Sequence, residues 1–349
     1  MKMVVITLAQ KKDASEWDHV VRHCRNGTFY HLFLWREIYQ TVGKPYYFLG
    51  REAGEVVGIL PLVEVEEKGI RKLLSVPQGV GGICISEKVS EKSNVANSLI
   101  QAAKDEARSS GCHQMEIKAD SFQAEWYTGW RSIRYALGST VQIKEDWEAV
   151  WKHVFNKKAR KNVNYARKLG CVTKVFSNYE ITENLLSIFY EMHKEVSDRH
   201  EQEPISFEIF KAICRRFEDK CYLCMTYYEN LPVAVRFFLA DSELRTVYMY
   251  MGASKSDYWK YKPNDVGYSD TIQWASQNNF RFVDLGLSPY PSENSGHVHF
   301  KERWGGIDYK VDLFQYDLRP VALLFKKVLR KAQVFRNKTF ERNYGPDFE

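Results

Sequence analysis

Phe280-Arg281-Phe282-Val283-Asp284-Leu285-Gly286, FRFVDLG, is a strand-like run of aromatic and branched residues that stops on Asp-x-Gly, a turn signal. A polar segment, LSPYPSENSGHV (287–298), reads as a loop. Then comes HFKERWGG (299–306), in which one lysine, Lys301, stands beside Phe300 ahead of a Trp-Gly-Gly turn. Open α/β sheets place site residues where their strands end, which makes Asp284 and Lys301 the first candidates. Each also has a plainer reading: a turn cap for Asp284, and a surface ion pair with Glu302 for Lys301.

Working outward, a helix starting near Asn264 sets Tyr268, Ile272 and Ala275 at i, i+4 and i+7. Ahead of it lie the strand runs CYLCMTYYE (221–229) and PVAVRFFLA (232–240), joined by an Asn-Leu turn, and then LRTVYMYMGA (244–253). In the last of these Tyr248 and Tyr250 alternate with Val247, Met249 and Met251, so one parity faces a core and the other a cleft. Helical patterns precede the strands at 185–198, with Leu186, Phe189, His193 and Val196 on one face. Another covers 207–218, with Phe207, Phe210, Cys214 and Phe217.

The first half has the same grammar. SEWDHVVRHC and FYHLFLWREIYQ are helical in pattern; PYYFLGRE (45–52) and EVVGILPLVEVEE (55–67) are strands joined by the turn AGE. The loop SVPQGVGGI (75–83) leads to a helix over 93–110 with Val95, Leu99, Ala103 and Ala107 on one face and Gly111 as its stop, then the strand CHQMEIKA (112–119). Helices, hairpin, strand, loop, helix and strand, twice over, predict a duplicated α/β unit with a mixed sheet in each copy. The expected boundaries are 1–146 and 147–318, with 319–349 as a separate tail.

Composition narrows the class. With 44% apolar and 27% charged residues over 349 positions the chain is globular and long enough for two domains. Seven scattered cysteines suit a reducing compartment. The opening MKMVVITLAQKKD is too short in apolar length for a signal peptide, and no run reaches a membrane span, so a cytoplasmic protein is expected. The net charge of +6 is concentrated late: between Arg319 and Arg342 eight cations face one acid, Glu341. There PVALLFKKVLRKAQVF (320–335) forms a basic amphipathic pattern that suits docking on the second domain or contact with an anionic membrane through 319–342.

A second basic feature sits at the junction, within a stretch from about Trp147 to Gly170 that is helical by pattern and reads as the connecting helix of the second unit. NKKARKNVNYARKLG (156–170) holds six cations and no acid. Lys157, Arg160, Lys161, Arg167 and Lys168 share one helical stripe, and Ala159, Val163 and Ala166 lie opposite. Either the stripe is a solvated face, or it meets a phosphate-rich ligand such as a nucleotide-sugar pyrophosphate, coenzyme A or an RNA backbone.

Taken together FLW (33–35), VVGILPL (56–62), SVPQGVGGI, KKARKNVNYARKLGC (157–171), KPNDVGYSDTIQWASQNNFRFVDLG (262–286) and FKERWGG (300–306) resemble the Fem-type ligases and their acyltransferase relatives of polysaccharide operons. The resemblance covers about 15–318, and its most specific part is the late Phe-Lys with Trp-Gly after a strand ending Asp-x-Gly. It implies two tandem GNAT-like acyltransferase domains, with an acyl or aminoacyl group passed to an amine of a cell-envelope precursor, peptidoglycan or polysaccharide. The donor it implies is acyl-CoA or aminoacyl-tRNA, with no permanently bound cofactor and no metal. The acceptor is a nucleotide- or lipid-linked amine, and tRNA is a partner in the aminoacyl branch. Phe300 and Lys301 map to the family's active-site pair. The chain departs from the family in lacking the long helical arm of some Fem ligases. It also lacks an evident glycine-rich pyrophosphate loop: GASKSDYWKYKPND (252–265) has one glycine, and QGVGG (78–82) is a partial match.

Within that reading Lys301 supplies a cation to the carbonyl oxygen under attack, Phe300 packs the lysine stem, and Asp284 accepts a proton or caps its loop. Arg160, Lys157, Arg167, Tyr248, Tyr250, Trp35, Arg36 and Asn264 are the expected substrate contacts, Asn264 through a helix N-terminus that suits phosphate. His297 and His299 lack a third ligand, and Cys221-x-x-Cys224 lacks a partner pair, so neither reads as a metal site. No Gly-x-Ser-x-Gly, P-loop or HExxH is present, which removes hydrolase and kinase readings. The competing classes are a non-catalytic nucleotide- or RNA-binding module on a degenerate duplicated fold, and a peripheral membrane scaffold.

Overall fold

A computed structural model describes residues 3–290 and 296–324. In chain order the elements are β1 (Val4–Leu8), α1 (Ala14–Arg22), α2 (Trp35–Tyr39), β2 (Lys44–Glu52), β3 (Glu55–Glu67), β4 (Ile70–Leu74), β5 (Cys84–Ile85), α3 (Lys92–Ser109) and β6 (Gln114–Asp120). Then follow β7 (Arg131–Gln142), α4 (Trp147–Ala149), α5 (Lys157–Lys168), β8 (Val172–Ser177), α6 (Glu183–Arg199), α7 (Phe207–Arg216), β9 (Cys221–Tyr228) and β10 (Leu231–Asp241). The last are β11 (Thr246–Ser254), α8 (Pro263–Gln277), β12 (Phe282–Pro289), α9 (Gly296–Glu302) and β13 (Ile307–Asp317).

Two compact units result, and neither is contiguous in sequence. The first comprises the described residues of Met1–Asn26, Val42–Ile133 and Leu313–Glu349; the second is Gly27–Thr41 with Arg134–Asp312. The expected cut between 146 and 147 therefore does not coincide with the observed partition: α2 belongs to the second unit, and the end of β13 to the first.

In the first unit the strand order is β1-β2-β3-β4-β6-β13, with β5 on β3. All registered pairs are antiparallel except β4 with β6, where Lys72–Leu74 run beside Gln114–Glu116. A parallel neighbour needs a crossover, and α3 supplies it. The helix buries Val95, Leu99, Ala103 and Ala107 against Leu60, Leu62, Met115 and Ile117, the stripe that the 3.6-residue spacing dictates.

In the second unit the order is β13-β7-β12-β11-β10-β9-β8. Again a β9–β10–β11 antiparallel run is followed by a helix, α8, and a parallel strand, β12. The repeated grammar of the sequence is thus a repeated topology. α5 and α8 cover one face, where Ala159, Val163, Ile272 and Ala275 meet Phe238, Val247, Val283 and Trp304. On the other face Phe189 and Phe210 pack on Phe237 at ring distances of 5.3 and 5.5 Å.

Three expectations are corrected. FYHLFLWREIYQ is only a turn at Phe29–His31 and the short α2, not one helix. The helical stretch 147–170 is broken at Phe155–Asn156, where the Asn156 carboxamide accepts the Ala159 N–H at 2.9 Å and starts α5 afresh. The segment 287–298 is not all loop, because β12 runs on to Pro289 and α9 begins at Gly296. In the tail, residues 320–324 begin a helix; the remainder of the basic helix expected over 319–342 lies outside the described residues.

Candidate active site

The site lies in the second unit, where β11 and β12 part. Their parallel pairing covers Thr246–Tyr248 against Phe282–Asp284. β11 then bulges at Met249–Tyr250 relative to β10, while β12, paired with β7 from Phe282 on, continues along it through Leu287, Ser288 and Pro289. A bulge re-aims side chains, and two strands that separate leave their inner edges for other groups. Asp284 stands at the point of separation, as the Asp-x-Gly ending anticipates.

Asp284 Oδ1 accepts the Gly286 N–H at 2.6 Å and Oδ2 accepts the Tyr309 hydroxyl at 3.1 Å. The turn-cap hydrogen bond expected of Asp284 is therefore present. Burial pushes this carboxyl above its usual range, against the pull of Gly286, Tyr309 and Lys301. Burial, and after it the same carboxylate, also raises the phenols of Tyr30 and Tyr309 well above their ordinary value.

Lys301 is on α9 and only 7% exposed. Its Nζ donates to the Gly286 carbonyl at 2.7 Å. Burial pulls its pKa down to about 8, against Asp284 and Asp308, which raise it. The surface-pair alternative fails, because Glu302 is engaged by His299 Nδ1 at 3.0 Å. Three donors on an ammonium, one of them used, leave two for a ligand.

Phe300 does something other than line the lysine stem. Its ring meets Tyr268 edge-on at 4.8 Å and Trp304 at 5.8 Å, and so pins α9 onto α8. Trp304 is fully buried, stacks on Tyr268 at 5.7 Å and meets Phe155 at 4.9 Å. The Trp-Gly-Gly turn is thus an anchor that fixes the short helix carrying Lys301.

Tyr248 and Tyr250 reach the same side of the sheet, with Tyr30 at 5.8 and 6.3 Å from them. The Tyr250 hydroxyl is buried without a partner among the described residues. Trp35 is 0% exposed, donates its indole N–H to the Phe29 carbonyl at 2.9 Å and packs on Phe217; it is core, and Arg36 only overlies Phe33.

The basic helix divides. Arg160 Nη1 donates to the carbonyls of Trp151, Lys152 and Phe155, closing the turn before α5. Arg167 pairs with Asp270 at 2.5 Å. Lys157, Lys158, Lys161 and Lys168 are exposed, so the stripe offers mainly lysines, while its two arginines are engaged within the protein. Asn264 is also occupied: its oxygen accepts from Arg236 Nη2 at 2.8 Å and its nitrogen donates to Ser254 Oγ at 2.9 Å.

Arg236 is a site-region residue that sequence reading passed over. It is 6% exposed, its guanidinium lies 4.1 Å from the Tyr268 ring, and its Nε has no partner among the described residues. Gly252 faces it across β10–β11, and a Cβ there would fall within 2.0 Å of Nη1, so only glycine leaves room. The available signal was one charge inside the apolar run PVAVRFFLA. Among the described residues no three His, Cys, Asp or Glu side chains gather as a metal site, and no helix is long and apolar enough to cross a membrane.

The geometry has counterparts. Residues 154–302 match the acetyltransferase (GNAT) domain family. No curated protein matches the chain by sequence. Among solved structures the chain is similar to FemX, with a TM-score of 0.71 at 15% identity over 92% of this chain and 100% of that one. A tandem GNAT protein from the clavulanic acid biosynthesis pathway aligns with a TM-score of 0.60 at 10% identity, over 91% of this chain and 99% of that one. L-PGS from Bacillus licheniformis aligns with 0.59 at 12%, over 93% and 98%. The repeated hairpin–helix–strand topology of this chain is thus the tandem GNAT fold shared with these solved structures, and its residues 154–302, which hold the β11–β12 parting, match the acetyltransferase (GNAT) domain family.

Proposed function

We propose that the protein is an N-acyltransferase that moves an acyl or aminoacyl group onto an amine of a cell-envelope precursor, of peptidoglycan or polysaccharide. The observation that carries this reading is the buried Lys301 ammonium, held at the parting of β11 and β12 inside the matched domain. In the reaction the amine attacks an ester or thioester carbonyl. A C–N bond forms, the C–O or C–S bond breaks, and the amine proton leaves with the alcohol or thiol. Charge gathers on the carbonyl oxygen on the way, and a fixed cation there stabilises it. Asp284 is engaged by the Gly286 N–H and the Tyr309 hydroxyl, one on each oxygen, which suits it to holding the loop. The donor is acyl-CoA or aminoacyl-tRNA. The fold shared with a tandem GNAT protein solved without AcCoA suits the first, and the resemblance of the sequence to the Fem-type ligases implies the second. The exposed lysines of α5 suit the phosphates of either.

Lys301→Ala is the test. Turnover with the accepted donor is expected to fall by about 10²–10³-fold, the effect of losing one oxyanion donor. Affinity for that donor, measured separately with coenzyme A and charged tRNA, should persist. Turnover that survives Lys301→Ala would refute the catalytic role, and a wild type that binds a donor without consuming it would favour the non-catalytic binding module.

A further inference from the structure

An ammonium stabilises a developing charge only if it stays in place, and three hydrogen bonds determine where Lys301 stays. Tyr309 donates to Asp284 at 3.1 Å, Asp284 accepts from Gly286 at 2.6 Å, and Lys301 donates to the Gly286 carbonyl at 2.7 Å. The middle link is the backbone of one residue, Gly286, whose N–H and C=O belong to successive peptide units, in an unusual place. Between Asp284↔Thr140 and Leu287↔Gly138, β12 sets two residues, Leu285 and Gly286, against one of β7, so Gly286 sits in a bulge. Its φ is +77°, and a Cβ there would meet Met249 O at an ordinary 3.5 Å. Glycine therefore supplies the left-handed backbone here rather than space. That conformation turns the Gly286 carbonyl to Lys301 while its N–H points back to Asp284.

We propose that Asp284 and Tyr309 are positioning residues for Lys301 that act through the backbone of Gly286: Tyr309 orients the carboxylate, the carboxylate fixes the Gly286 N–H and with it the residue's left-handed conformation, and the Gly286 carbonyl, in the next peptide unit, holds the ammonium. The inference rests on the acyltransferase reading only for the use made of that ammonium. Other pairings of these groups are poorer. Each Asp284 oxygen already accepts a hydrogen bond, so taking up a proton there would weaken its hold on Gly286 or Tyr309. The charged groups that face Lys301 are Asp284 from β12 and Asp308 from β13, which favour its cation, and His297 one turn earlier on α9. Tyr30, Tyr248 and Tyr309 face Asp284 and leave it no other carboxylate neighbour among those that shift it.

The experiment titrates Lys301 in the full chain without substrate. Protein labelled with ε-13C-lysine is followed by 1H–13C correlation spectra against pH, with the Lys301 signal assigned by its loss in Lys301→Arg. Wild type is expected to titrate near pH 8. Asp284→Asn keeps an oxygen for the Gly286 N–H but loses the charge, and should titrate below 8. Asp284→Ala loses the acceptor too; the peptide is released, the ammonium reaches solvent, and the midpoint should climb toward the ~10.4 of a free lysine. Tyr309→Phe deletes only the hydroxyl and should shift the midpoint upward by less. A midpoint that stays near 8 in both Asp284→Ala and Tyr309→Phe would overturn the proposal; if one variant does not fold, the other decides. Because no donor or acceptor is present, failure here leaves the acyltransferase reading to its own assay, and failure of that assay leaves these titrations standing.

Discussion

At Lys301 burial and charge act in opposite directions, and the balance sets a pH at which the site should change state. Burial disfavours the ammonium, Asp284 and Asp308 favour it, and the midpoint falls at about 8. Below that pH the cation is present; above it the carbonyl oxygen loses its partner. The transfer rate is therefore expected to fall as pH rises through about 8, and Lys301→Arg, charged throughout, should lower the rate but remove that alkaline limb. A pH–rate profile of the two proteins checks this, and an unchanged limb in the arginine variant would assign it to another group. The stability sign follows from the same shift. Between about 8 and the ordinary lysine value of 10.5 the unfolded chain holds a proton that the folded chain does not, so this group's contribution to stability rises with pH across that window and is least favourable below it. Lys301 was legible because its neighbours Phe300 and Trp304 form a recognisable string. Tyr30, Tyr309 and Arg236 were not, because each depends on partners far away in sequence: Tyr309 on Asp284, Tyr30 on Tyr248, Arg236 on Gly252 and Asn264.

Among the elements, α5 is the one whose sequence works against its own stability. Its first turn holds Lys157 and Lys158 and no acid, although a helix N-terminus favours negative charge. The Asn156 cap and the burial of Ala159, Val163 and Ala166 keep it folded regardless. Exchanging Lys157 and Lys158 for glutamate should therefore raise stability, by about 0.3–1 kcal/mol each, in a urea melt. The same double variant should weaken coenzyme A or tRNA binding and flatten its salt dependence, because those lysines are exposed and suited to phosphate. Greater stability with unchanged affinity would remove α5 from the ligand surface. The elements read correctly from sequence, such as β3, α3, α6 and α8, are long and carry one unbroken pattern. Those missed are short or polar. β4 has five residues with two cations, β7 opens with exposed Arg131, Ser132 and Ile133, and α9 packs Gly296, two histidines and Val298 into seven residues of weak helix preference. For these, neighbouring elements decide the conformation.

At the scale of the whole chain, the duplicated topology was legible, since each half repeats a hairpin, a strand, a helix and a parallel strand. The assignment of segments to units was not, because periodicity says which face of an element is buried but not in which unit. Gly27–Thr41 shows the consequence. It belongs to the second unit, where Phe29 packs on Phe217 at 4.6 Å, Trp35 on Phe217 at 5.2 Å, and Glu37 pairs with Arg216 at 3.0 Å. A fragment of 134–349, which keeps β7 but drops residues 27–41, would lack Phe29, Tyr30 and Trp35 and leave Phe217, Tyr248 and Tyr250 without their covering rings. Each deleted aromatic is worth about 3–5 kcal/mol when its site cannot collapse, comparable with the whole stability of a domain. The fragment is thus expected to bind a hydrophobic dye, lack a cooperative thermal transition and show no transferase activity. Adding residues 27–41 as a peptide should restore at least part of the transition. A fragment that melts cooperatively alone would show that those three rings are dispensable to the unit that carries Lys301.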